Sequence, residues 1–163
     1  MNPSILTSQK TAIITLMKTM TVSNGYNFDW PLSNNTNMAI DLFPRALVYR
    51  PSEENLDILS GLGSGDYTNR VNYRINVAGK INFSSKNPVF DIEEVFAQCL
   101  DDLKRLFGKT VNRSVMGTMD SFLYVGYEHE YKAVETFVPT GLITKWSATY
   151  SQGRQDPTKY AGG

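Results

Sequence analysis

The chain has 163 residues, enough for one domain with a real core, and its apolar content is that of a globular protein rather than a disordered one. Its 16 basic residues balance 16 acidic ones, so no overall field draws it to nucleic acid or to an anionic membrane, and any electrostatic role rests on local patches. Cys99 is the only cysteine and His129 the only histidine, which excludes an internal disulfide and leaves too few ligands for a Cys/His zinc site.

From Pro3 to about Ser23, Leu6, Ile13, Leu16, Met17 and Met20 recur at spacings of three, four and seven, the signature of an amphipathic helix. Lys10 and Lys18 interrupt its apolar content, so neither a signal peptide nor a membrane span is expected. Gly25 is placed to close the helix end in the left-handed conformation. Tyr26 to Trp30 alternates aromatic and polar residues up to Pro31 and is compatible with a short strand, and the polar run Ser33 to Asn37 reads as a loop.

Ala46 to Arg50 is expected as a short strand. Pro44 and Pro51 frame it and argue against a central, doubly paired position. Ser52 to Asp66 carries Glu53, Glu54 and Asp57 ahead of Gly61, Gly63 and Gly65, and reads as a long acidic loop and a candidate contact surface.

The longest regular pattern runs from Tyr67 to Phe83. Its odd positions are mostly apolar, and its even positions are polar or cationic, including Arg70, Arg74 and Lys80. A strand of that length spans roughly 55 Å, so a bend or bulge is expected near Gly79. A polar second face is what antiparallel sheets tolerate.

A second helix is expected from Asp91, with Glu94 completing a capping box and Gly108 the stop. Ile92, Val95, Phe96, Cys99, Leu100, Leu103, Leu106 and Phe107 form its broad apolar face. Ser121 to Tyr131, with Leu123, Val125, Tyr127 and Tyr131 on one parity, and Gly141 to Tyr150, with Leu142, Trp146, Ala148 and Tyr150, pair as a hairpin. Their link, Lys132 to Thr140, contains Phe137 and Val138, apolar residues that suggest burial by a partner. Residues 1–150 thus make one α+β domain, a mainly antiparallel sheet with two helices on one face, and residues 151–163 a mobile tail.

No motif here carries chemistry. Cys99 lies on an apolar helix face, where cysteine behaves as a small hydrophobe. His129 stands between Glu128 and Glu130 in a strand, so its sequence neighbours point to the opposite face and do not orient its ring. Gly61 to Asp66 lacks the Gly-Lys-Ser/Thr ending of a phosphate loop and precedes a strand. A pair of carboxylates acting as acid and base leaves no fixed spacing, so the lack of a motif does not decide against one. Arg70, Arg74 and Lys80 are the candidate face for phosphates, for a lumen or for a subunit boundary, although Asn72, Asn76 and Asn82 dilute its charge.

The order helix, strand between prolines, long alternating strand, capped helix and strand pair resembles the tail terminator proteins of long-tailed bacteriophages. Its particular points are the Gly25-Tyr26 helix exit, the Pro44 to Pro51 segment, the Gly108 stop and the late Asp156-Pro157. The resemblance implies a virion structural protein without catalytic activity or cofactor. It would form a hexameric ring that ends tail-tube polymerisation, joins the tail to the head-completion or connector proteins, and lets DNA pass. Assembly would take place in the host cytoplasm, with no membrane contact. Apart from the resemblance, the apolar link and the acidic loop offer Phe137, Val138, Glu53, Glu54 and Asp57 as interface residues. A head-completion or neck connector of the same layout is the alternative, and a small nucleic-acid-binding module using Arg70, Arg74 and Lys80 a further one.

Overall fold

The computed structural model describes residues 3–30, 43–56, 66–78, 88–133 and 137–153. Helix α1, Ile5–Met17, starts where the Ser4 hydroxyl accepts from the Thr7 amide at 3.2 Å. It ends well before Ser23 because Thr19, Thr21 and Val22 are β-branched and the threonine hydroxyls take backbone partners of their own. Thr19 Oγ1 donates to Leu16 O at 2.6 Å, and Thr21 Oγ1 accepts from Asn24 N at 3.2 Å, capping a separate 3-10 turn over Val22–Asn24. Gly25 closes that turn at φ +87°, the left-handed conformation expected of it. Tyr26 to Trp30 is not a strand: the amides of Asn27 and Phe28 donate to the Asp102 carboxylate instead of to a neighbouring chain.

Strand β1, Arg45–Asn55, continues through Pro51. Ser52, Glu53 and Glu54, expected in a loop, are therefore strand residues. Strand β2 covers Asp66–Ala78, helix α2 Pro88–Gly108, strand β3 Ser121–Ala133 and strand β4 Phe137–Gly153. Helix α2 begins at Pro88, a residue suited to a first turn because its missing N–H has no partner to lose. Asp91 accordingly sits in that turn instead of capping it. Gly108 ends α2 without the left-handed conformation, and Asn112 Nδ2 donates to Leu106 O at 2.8 Å.

The strands form one antiparallel sheet in the order β1-β2-β4-β3. The chain lays down an edge and a centre, crosses by α2, lays down the other edge and returns to the centre. With β1 at an edge, Pro51 costs no ladder bond, as its flanking prolines imply. β2 and β4 pair without interruption from Asp66↔Gly153 to Val77↔Leu142. Both edges are bulged: β1 carries two residues between Tyr49↔Arg74 and Ser52↔Asn72, and β3 carries Val125 as an extra residue between Tyr124↔Trp146 and Gly126↔Lys145. The two bulges flank the Tyr73↔Trp146 pair, in one transverse row of the sheet. Gly79, where the bend of the long ribbon is expected, Lys80 and the rest of the ribbon to Phe83 lie outside the described residues.

Both helices cover the same face. Val71, Tyr73, Ile75 and Val77 of β2 and Leu142, Trp146, Ala148 and Tyr150 of β4 join Ile13 and Met17 of α1 and Phe96, Cys99, Leu103, Leu106 and Phe107 of α2 in one buried cluster. Its centre is aromatic: Phe122 stacks on Trp146 at 5.1 Å with planes 8° apart, and Phe107 meets the same indole edge-on at 5.1 Å. The buried polar side chains of Gln9 and Thr144 are paired. Gln9 accepts from Tyr73 Oη at 2.8 Å and donates to Thr118 O at 3.2 Å, and Thr144 Oγ1 accepts from Trp146 Nε1 while donating to Ile75 O.

Candidate functional site

With both helices on one side, the other side of the sheet is open as far as the described residues go. The register places on it Arg45, Leu47, Tyr49 and Glu54 of β1, Arg70, Asn72, Arg74 and Asn76 of β2, Ile143, Lys145 and Ser147 of β4, and Leu123, Glu128 and Glu130 of β3. Among the described residues no helix lies over it. Leu47 and Leu123 are 46% and 62% exposed there, so the face mixes polar groups with apolar side chains that remain in water.

The cationic stripe of β2 is partly neutralised on this face. Arg70 pairs with Glu54 at 3.0 Å and Lys145 with Glu128 at 3.1 Å, while Arg74 donates to the Tyr73 carbonyl at 3.1 Å. Among the described side chains, four cations, Arg45, Arg70, Arg74 and Lys145, stand against three carboxylates, Glu54, Glu128 and Glu130. A face so nearly neutral holds phosphates weakly. Lys80 lies outside the described residues.

The acidic set divides. Glu53 and Glu54 are adjacent in β1 and so point to opposite faces: Glu54 meets Arg70 on the open side, and Glu53 Oε1 accepts from Tyr150 Oη at 2.6 Å on the helix side. They are not one contact surface, and Asp57 lies outside the described residues. Phe137 and Val138, expected in a link, are strand residues whose backbone pairs with Ala133 and Lys132, and residues 134–136 lie outside the described residues.

His129 lies on the helix side of β3 in a row of rings. It meets Tyr127 at 5.5 Å, Tyr131 at 5.9 Å and Phe96 of α2 at 5.9 Å, and its Nδ1 is shielded from water with no partner. Rings, not Glu128 or Glu130, orient it. Beside this row the first half of α2 and β3 enclose a groove of about 300 Å³ whose lining includes Glu93, Glu94, Asp101, Phe96 and Tyr127. Sequence reasoning missed it, because the contributing residues are some thirty positions apart and β3 changes parity between Phe122 and Tyr127.

Cys99 is fully buried, and burial, reinforced by the Asp102 charge, pushes its thiol well above the usual range. A thiolate nucleophile is thereby disfavoured. Among the described residues no group of three or more His, Cys, Asp and Glu is arranged to hold a metal ion, and no helix is long and apolar enough to cross a membrane. Compared with known proteins, no protein-family model matches the chain and no curated protein is significantly similar to it.

Proposed function

We propose that the chain is a ring-forming virion subunit of the tail-terminator kind, acting through its surfaces to end tail-tube growth and join the tail to the head. The observation that carries this reading is the open sheet face, uncovered by either helix and mixing Leu47, Leu123 and Ile143 with amides and ion pairs. A four-stranded face of that composition gains by burial of its leucines against a neighbouring subunit. Its amide-rich centre, Asn72 and Asn76 beside neutralised Arg70 and Lys145, suits the wall of a channel through which DNA slides without sticking.

Light scattering coupled to size exclusion, with electron microscopy of the same peak, tests this reading. A closed ring of discrete mass that caps purified tail tubes is the expected result. A chain that stays monomeric at all concentrations and leaves tube growth unchanged overturns it. Assembly on head connectors but not on tubes assigns the chain to the head-completion station instead.

A further inference from the structure

Helix α2 is charged oppositely at its two ends, and each end carries aromatic surface. Glu93 and Glu94 near its start and Asp101 past its middle are exposed on the lining of the groove described above, and Tyr127, 53% exposed, forms the facing wall. No lysine or arginine lines that groove among the described residues. At the other end Lys104 sits 4.4 Å from the Tyr124 ring, and Lys109 and Arg105 sit 5.1 and 5.8 Å from the Tyr26 ring, all three cations exposed. Neither the three carboxylates nor the three cations form an ion pair among the described residues. Glu93 and Glu94 stand ten or more residues before Lys104 on the helix, at least about 15 Å, and do not neutralise it within a copy, whereas Asp101 is one turn from Lys104 and Arg105 yet forms no ion pair with either.

We propose that the groove between α2 and β3 receives the basic end of α2, Lys104, Arg105 and Lys109, from a second copy of this chain. Three carboxylates meet three cations, and the exposed Tyr127 face offers a cation–π partner to the guanidinium or ammonium that enters. The tyrosines beneath the cations already limit their conformations, which lowers the entropic cost of docking. The two surfaces differ, so the contact is heterologous and leaves each copy with one free groove and one free basic end, the condition for ring closure. The inference rests on the ring reading above and names the contact that closes the ring.

The test uses two full-length variants, each checked for its native melting transition. One carries Glu93→Lys, Glu94→Lys and Asp101→Lys; the other carries Lys104→Glu, Arg105→Glu and Lys109→Glu. Each alone juxtaposes like charges at every contact and is expected to associate roughly 100-fold more weakly than the parent. Mixed in equal amounts, they restore opposite charges at every contact and are expected to form alternating rings. Should a reversal variant lose its fold, Glu93→Gln, Glu94→Gln and Asp101→Asn replace it, with weaker and less salt-sensitive association expected. Parent-like assembly of either reversal variant, or failure of the mixture to assemble, overturns this contact while leaving the ring reading intact. A monomeric parent chain overturns both. Intact rings that no longer hold tail tubes assign the groove to the tube protein and overturn the self-contact.

Discussion

Asp102 is a carboxylate in the apolar stripe of α2, fully buried, three residues after Cys99 and four before Leu106. It accepts from the amides of Asn27 at 2.8 Å and Phe28 at 3.2 Å and from Trp30 Nε1 at 3.1 Å, which fastens the segment after Gly25 to the helix. Asp102→Ala leaves three N–H groups without their acceptor and is expected to lower stability by about 2–4 kcal/mol in urea titration, with Asp102→Asn intermediate. A change under about 0.5 kcal/mol would contradict that role. An acid on a helix's apolar face is a visible anomaly in the sequence, but its partners lie more than seventy residues away and no local pattern names them. Tyr73 and Tyr150 hold their protons for related reasons. Burial raises the Tyr73 phenol despite the Arg50 guanidinium beside it, and burial together with the Glu53 carboxylate raises Tyr150. The folded state thus keeps protons that the unfolded chain releases near its ordinary pKa of about 10. Their contribution is complete below about pH 10 and falls as pH rises above it. The urea midpoint is expected to drop steeply over that alkaline range, and less steeply in Tyr150→Phe; a midpoint flat to about pH 11 would refute the coupling.

At the scale of elements, the readable ones keep a single period from end to end. Helix α2 holds its apolar stripe from Phe96 to Phe107, and β2 from Asp66 to Val77 and β4 from Leu142 to Gly153 pair without a break, so their faces follow from the residues alone. Strand β3 does not keep one period. Before Val125 its even residues Phe122 and Tyr124 face the helices, and after it the odd residues Tyr127 and His129 do, so Leu123 and Tyr127 share a parity but not a face. The bulge in β1 works the same change between Val48 and Glu53, which is why the acidic residues after Pro51 resemble a loop. Val125 is 64% exposed, and Val125→Thr is expected to shift stability by no more than about 0.5 kcal/mol. Deleting Val125 forces one half of β3 to turn over, burying polar groups or exposing Phe122, and is expected to abolish the cooperative melt seen by circular dichroism. A deletion variant melting within a few degrees of the parent would show that the register is not pinned there.

The whole molecule depends on one cluster shared by both helices and all four strands, since Ile13, Val48, Tyr73, Leu103, Phe122 and Trp146 belong to it together. Leu103→Ala is therefore expected to cost about 2–5 kcal/mol and to lower a single transition, seen alike by tryptophan fluorescence and circular dichroism. Separate transitions by the two probes would mean that the helices and sheet are not one unit. The α+β class was legible in the sequence because periodicity records which side of an element faces a core. The groove beside His129 and the division of Glu53 from Glu54 were not, because they depend on register between distant strands. The paired bulges have a further consequence, for behaviour at high concentration. A flat edge strand is a template on which other chains add by backbone pairing. Here the pairing of β1 is cut after Arg45–Tyr49, and that of β3 after Tyr124 and again after Glu130, so no uninterrupted edge run exceeds five residues. The uninterrupted pairing of twelve residues, Asp66 to Val77 with β4, is held in the middle of the sheet. The segment with the greatest capacity to nucleate fibrils is thus the one that folding withdraws from solution, and aggregation of this chain must begin with loss of an edge strand, not with docking of intact molecules.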